Sequence, residues 1–203
     1  MYKSGVLASD LIKSVRSEAD VSVSLPDSLF YRSLSAVEQF LYTEVIDEYI
    51  AVRVKYSGLA DGAISLSDVS VPAGCAAAEF DDILRVFADS AELEKSGAVG
   101  AWEFPEKNLY YTDYDGSIRF VLQEMPDEIV LMVRLRPELK SEDSDSMVAL
   151  PPEFIDLAEA KLRGDAYRVS NEDGLAAKWL AEYNNRLETF KVWSVKRNER
   201  FGG

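Results

Sequence analysis

The chain has 203 residues, 47% of them hydrophobic, enough for one domain with a sound core or a core plus one insertion, and too apolar for a disordered chain. It contains no histidine, which removes the usual general base, the Ser-His and Cys-His nucleophile pairs and most zinc and iron sites, so the expectation is a non-enzyme without catalytic residues, cofactor or metal. A formal net charge of −14 argues against ordinary nucleic-acid binding, which needs positive charge to meet phosphate.

Residues 8–18 read as a short helix with Leu11, Ile12 and Val15 on its apolar face. Residues 20–24 read as a loop. Pro26 then opens a longer helix with Asp27 in its first turn, where the dipole favours an acid. Leu29, Phe30, Leu34, Val37, Leu41, Tyr42 and Val45 keep helical spacing through about Ile46.

The period changes after Glu48. Residues 49–56 alternate Arg53 and Lys55 with Val52, Val54 and Tyr56, which predicts a strand. A turn at 58–62 leads to a second strand at 63–66. Residues 68–78 form a small-residue loop holding Pro72, Gly74 and Cys75. Residues 83–87 predict a third strand, with a helix over 79–95 as the competing reading. Gly97 to Gly100 reads as a turn. Residues 109–112 and 118–122 flank Asp113-Tyr-Asp-Gly116, the clearest hairpin in the chain, because Asp-Gly supplies the positive φ of a tight turn. Residues 129–135 predict a last strand before Pro137, and 138–149 a solvated acidic loop.

Two helical signals then stand back to back. The first starts after Pro151-Pro152 with Phe154, Leu157, Ala158 and Leu162 on one face. In the second, Leu175, Trp179, Tyr183, Leu187 and Phe190 share a face, with Asn171 as candidate N-cap. The expected fold is α+β: residues 1–48 and 150–203 form a helical bundle, and residues 49–149 a central antiparallel β insertion. No stretch approaches the length of a membrane span, and the N-terminus lacks a basic-then-apolar signal pattern, so the expectation is a soluble protein made inside the cell. A single cysteine permits no internal disulfide, which agrees with a reducing compartment.

No phosphate loop, GxGxxG, CxxC or HExxH is present. Aligning Gly116 with the glycine of a calcium loop puts Tyr111 and Leu122 where acids belong, so Asp113-Tyr-Asp-Gly reads as a hairpin turn. Pairs such as Asp81-Asp82 leave a carboxylate hydrolase open. Trp102, Tyr110, Tyr111 and Tyr114 could make an aromatic platform, so a β module that binds a glycan or a protein, carried on helices, is the alternative reading. From residue 151 onward nine Lys and Arg face nine Asp and Glu, so residues 1–150, with 13 against 27, hold the whole net charge.

The layout as a whole resembles the head-to-tail adaptor (connector) proteins of tailed bacteriophages, including the tail tubular and gatekeeper-like adaptors. The likeness rests on residues 11–17, the segment from Leu29 to Leu34 leading into 37–46, residues 83–87, the run from Asn108 to Asp113 with the Asp115-Gly116 turn, and 129–136 before Pro137. At the end it rests on residues 150–154, the Ala-rich 158–163 and 176–187 with Tyr183 inside. The resemblance implies a structural virion protein of the neck, made in the bacterial cytoplasm. It implies a homo-oligomeric ring of about twelve copies under the portal protein. The other face of such a ring receives tail or neck proteins (stopper, terminator or tail tube). DNA passes through an acidic channel without being read, and no membrane is involved. The expected portal-docking element is an apolar, basic C-terminal arm over 188–203, loosely held in the isolated protein, with Lys191, Trp193, Lys196, Arg197, Arg200 and Phe201 as its candidate contacts.

Overall fold

The computed structural model describes residues 2–18, 25–46, 48–59, 62–97, 108–113, 115–143 and 146–201, with side chains as far as Lys196. The fold is α+β, with four α-helices and two four-stranded sheets among these residues. The chain divides into a helical unit, Met1–Asp47 with Arg136–Gly203, and a β unit, Glu48–Leu135. No helix among the described residues is long and apolar enough to cross a membrane.

The helical unit contains α1 (Ala8–Glu18), α2 (Asp27–Glu44), α3 (Ile155–Val169) and α4 (Asp173–Phe201). Each carries an apolar stripe that cannot be buried alone, so the four share one core. Leu11, Ile12 and Val15 of α1 meet Phe30, Leu34, Val37 and Leu41 of α2, Leu157 and Leu162 of α3, and Leu187 and Phe190 of α4. Helices α3 and α4 form the closest pair. At Gly164 an added Cβ would stand 2.8 Å from Leu180 Cδ2, so glycine is what lets the two backbones approach.

Asn171 does not cap α4. It adopts φ 59° and closes α3 instead. Its N–H donates to the Arg168 carbonyl, and the Glu172 N–H reaches back to the Tyr167 carbonyl at 2.9 Å. That pair of bonds is the Schellman stop, which needs the left-handed conformation that asparagine tolerates. The register of α4 also differs by one residue at its start. Ala176 is buried and Leu175 is 40% exposed, because the inward face runs Ala176, Trp179, Tyr183, Leu187, Phe190.

The β unit holds β1 (Tyr49–Lys55), β2 (Ala63–Ser65), β3 (Ile83–Ala88), β4 (Ala91–Glu92), β5 (Glu94–Lys95), β6 (Leu109–Thr112), β7 (Ser117–Val121) and β8 (Glu128–Arg134). Residues 83–88 are therefore strand, not helix. The strands make two sheets, ordered β1-β8-β3-β4 and β2-β7-β6-β5. Every pairing is antiparallel except β5 with β6, which is parallel. Leu93 explains the division. It is 4% exposed, donates its N–H to the Val86 carbonyl, and separates β4 in one sheet from β5 in the other. Ile64, Val86, Leu93, Tyr110, Ile118 and Leu131 belong to the core that the two sheets share.

The stretch after β8 belongs to the helical unit, not to the β insertion. It is also not a solvated loop throughout. Residues 136–143 and 146–150 run as a strap between the N-terminal segment and α2. Ser4 and Ala8 donate N–H bonds to the carbonyls of Val148 and Ser146, and Val148 donates to Val6. On α2, Ser35 Oγ accepts from the Lys140 N–H, Glu38 Oε1 from the Ala149 N–H, and Gln39 Nε2 donates to the Pro137 carbonyl. These α2 side chains lie three and four residues apart, on one face of the helix. The stretch around Glu142 and Asp143 is exposed as the sequence predicts, and so are Glu138, Leu139 and Met147.

Candidate docking surface

The last turns of α4, from residue 188 on, are where the sequence places a loosely held arm. The structure ties this segment to the helical core as far as Ser194. Phe190 is fully buried, and its ring lies 4.8 Å from that of Phe154. Trp193 stacks on Phe190 at 5.5 Å and meets Phe154 at 5.2 Å and Tyr2 at 5.8 Å. Ser194 is 5% exposed and its hydroxyl donates to the Val45 carbonyl at the end of α2. The reason is the spacing. Positions 187, 190 and 194 continue the buried stripe by steps of three and four, so Trp193 turns inward with its neighbours. Trp193 is partly buried, its ring packed against the helical core rather than free of it.

What remains outward on this segment is smaller. Val192 and Val195 are 54% and 59% exposed, one helical step apart. Lys191 pairs with Glu188 at 2.7 Å, and Lys196 is exposed. The side chains of Arg197, Arg200 and Phe201 lie outside the described residues. From the sequence, Trp193 is among the candidate contacts and neither valine is. Measured from Phe190, both valines fall off the buried stripe, and that offset is the signal which separates them from Trp193.

The half-buried aromatics higher on α4 are also engaged. Arg163 of α3 lies over Trp179 at 4.6 Å, and Lys161 over Tyr183 at 6.0 Å. Burial pushes the Tyr183 phenol above its usual range, with Asp165 adding to the shift. These rings cement α3 to α4 rather than face a ligand.

In the β unit, the two described platform residues, Tyr110 and Tyr111, are not on a surface. Tyr110 is 3% and Tyr111 9% exposed, each facing a core cluster. Trp102 and Tyr114 lie outside the described residues. Asp113 and Asp115 both meet the Arg119 guanidinium, and Gly116 takes φ 78°. The Ser117 N–H, first among several donors, holds Asp115 below the usual carboxylate range. Their charge is spent inside the hairpin. Asp81 and Asp82 do not form an open pair either. Asp82 is buried, and its carboxylate accepts from the Glu79 N–H in a capping box. Cys75 is buried in its loop. Among the described residues no group of three or more His, Cys, Asp or Glu comes together to hold a metal ion.

Two clefts of about 430 Å³ each lie among the described residues, one in each unit. The first lies beside the strap, lined by Ser28, Tyr31, Arg32, Leu139, Glu142 and Asp143. The second lies between the 88–91 and 122–126 turns of the β unit and is mostly polar. Charge is distributed unequally. Residues 48–135 hold 7 Lys and Arg against 16 Asp and Glu, a net −9, and the remaining 15 against 20 leave −5 on the helical unit.

No protein-family model matches the chain. A search of curated proteins finds no match either.

Proposed function

We propose that this chain is a head-to-tail adaptor of a tailed bacteriophage. In that role it is a structural, non-enzymatic virion protein that forms a ring under the portal, joins the DNA-filled head to the tail and lines the DNA channel. The observation that carries this reading is the order of elements. A short helix and a longer one open the chain, a β unit follows, and two further helices close it, with both ends in one helical unit. That is the order on which the resemblance to the adaptor family rests. The charge supports it independently. A β unit of net −9 suits the wall of a channel through which DNA must slide, because an acidic wall gives phosphate no counterions to release.

In this reading the partners are other copies of the chain, the portal protein, and tail or neck proteins. The docking face is the outward side of the last turns of α4, around Lys191, Val192, Val195 and Lys196, with Arg197, Arg200 and Phe201 following in sequence. Trp193 supports that face from beneath. The test is native mass measurement of the purified chain, alone and with the portal protein encoded near its gene. A ring-sized assembly on the portal is expected. Val192→Asp with Val195→Asp should leave the melting temperature unchanged, since both side chains are exposed, and weaken portal binding at least about tenfold, as expected for two apolar contacts. A chain that stays monomeric and ignores the portal at all concentrations overturns the reading.

A further inference from the structure

Strand β1 is an edge of its sheet, and among the described residues no strand pairs with its outer side. The other described edge strands, β2, β4 and β5, are three, two and two residues long, and shortness is one way in which sheets blunt an edge. Strand β1 is not blunted in this way. It is seven residues long, and its register against β8 runs from Tyr49–Arg134 to Lys55–Glu128 without a bulge. Two bonds fix where its backbone groups point. The Leu135 N–H donates to the Glu48 carbonyl, and the Tyr56 N–H donates to the Asp127 carbonyl, so the even-numbered residues bond towards β8. The N–H and C=O groups of Tyr49, Ala51, Arg53 and Lys55 therefore point to the open edge. Their side chains are exposed, all on one face of the strand, while Ile50, Val52 and Val54 on the other face are half-buried against the core.

We propose that β1 is a dimerisation edge, to which β1 of a second copy adds antiparallel about a two-fold axis through Val52. The occupant follows from the order of residues in the strand. The outward backbone groups require odd residues to face odd residues in hydrogen-bonded pairs. With the axis at Val52 all seven residues pair, Tyr49 of one copy stands opposite Lys55 of the other, and Ala51 stands opposite Arg53. Moving the axis to Arg53 sets like charges directly opposite each other, which destabilises a sheet, and moving it to Ala51 pairs only residues 49–53. The cations of the edge do not forbid the pair. Arg53 bonds Glu128 at 2.7 Å, and Lys55 faces Glu128 in the register with β8. The second copy also completes the half-buried face, because Ile50 of one copy meets Val54 of the other and the two Val52 side chains meet on the axis.

The dimer joins the β1-β8-β3-β4 sheets of two copies edge to edge, with about eight new backbone hydrogen bonds, two at each hydrogen-bonded pair. A two-fold pair is closed and does not continue into a ring, so it describes the free chain in solution. It uses neither the α4 face nor the portal, and therefore stands or falls apart from the adaptor reading.

Sedimentation equilibrium on the full chain, without portal, reads the pairing. The wild type should show a reversible monomer–dimer equilibrium. Ala51→Arg, which sets a second cation opposite Arg53 at both of its pairs, should weaken the dimer about tenfold. Ala51→Glu, which sets an acid there, should tighten it. Ala51 is exposed and its backbone bonds point away from β8, so both variants should keep the fold. Opposite effects are specific to this register, since about an axis at Ala51 both substitutions would weaken the pair. A wild type that stays monomeric up to its solubility limit overturns the proposal, as do effects of the same sign or no effect. If Ala51→Arg fails to fold, cross-linking decides. In a Cys75→Ala background, Val52→Cys should oxidise to a disulfide-linked dimer, because a non-hydrogen-bonded pair on the axis brings the two Cα atoms to about 4.5 Å, within disulfide reach. Lys55→Cys should not, since its two copies lie roughly 20 Å apart along the strands. Equal cross-linking of both variants, or of neither, ends the proposal.

Discussion

Replacing Gly164 by alanine tests the crossing of α3 and α4 more sharply than any larger change. In an isolated helix this substitution adds about 1 kcal/mol of stability, because alanine loses less backbone freedom on folding. Here the new methyl would stand 2.8 Å from Leu180 Cδ2, 2.9 Å from Cγ and 3.3 Å from the Leu180 backbone nitrogen. Unstrained carbon contacts need about 3.5–4.0 Å. The leucine side chain can swing aside, but the backbone nitrogen cannot, so the two helices must part by some tenths of an ångström. Overpacking of this kind costs about 1–3 kcal/mol, which exceeds the propensity gain at all but its lower end. The net effect is a loss of about 0–2 kcal/mol. Urea unfolding followed by fluorescence reads it, since Trp179 and Trp193 both report on the helical unit. Leu180→Ala in the Gly164→Ala background should recover part of the loss, a non-additivity that contact between the two positions requires. If Gly164→Ala alone raises the stability, the helices do not cross at the distance described.

Phe190→Ala should cost about 3–5 kcal/mol in the same unfolding assay, since the ring is fully buried between Phe154 and Trp193. Deleting residues 191–203 should destabilise or unfold the helical unit, because it removes Trp193 and Ser194 from the core; circular dichroism showing native helix and an unchanged melting temperature would restore the free-arm reading. Asn171→Gly should be neutral or mildly stabilising, whereas Asn171→Val should cost about 1–2 kcal/mol, because φ 59° suits glycine and opposes a β-branched residue. Equal effects of the two substitutions on the melting temperature would show that the Schellman stop is not formed.

Element types were legible in the chain because they depend on local period. The change from steps of three and four to steps of two after Glu48, and back after Pro152, marks β1 and α3 within a few residues of where they lie. The Asp-Gly turn announced β6 and β7 for the same reason, since positive φ at Gly116 is a property of one residue. The strap was not legible. Residues 138–149 are rich in serine and acids, which reads as solvated, and the two groups that make the strap part of the helical unit, Glu38 and Lys140, are 102 positions apart. Nothing local marks a lysine that will be buried.

The same division runs through the candidate site. The composition of the chain established by itself that histidine chemistry is absent and that the acidity lies before residue 151. It also established that apolar and basic residues share the C-terminal segment. Which of those apolar residues faces outward was decided only in the folded unit. A helix offers every side chain to one direction or another, and the direction that becomes interior depends on what packs against it. Phe154 and Tyr2 arrive on the side of Trp193, so Trp193 is partly buried against them and Val192 and Val195 are left outside. Likewise a two-residue strand such as β4 or β5 has no period long enough to read, and only the pairing of β4 with β3 and of β5 with β6, with buried Leu93 between them, assigns the two to different sheets.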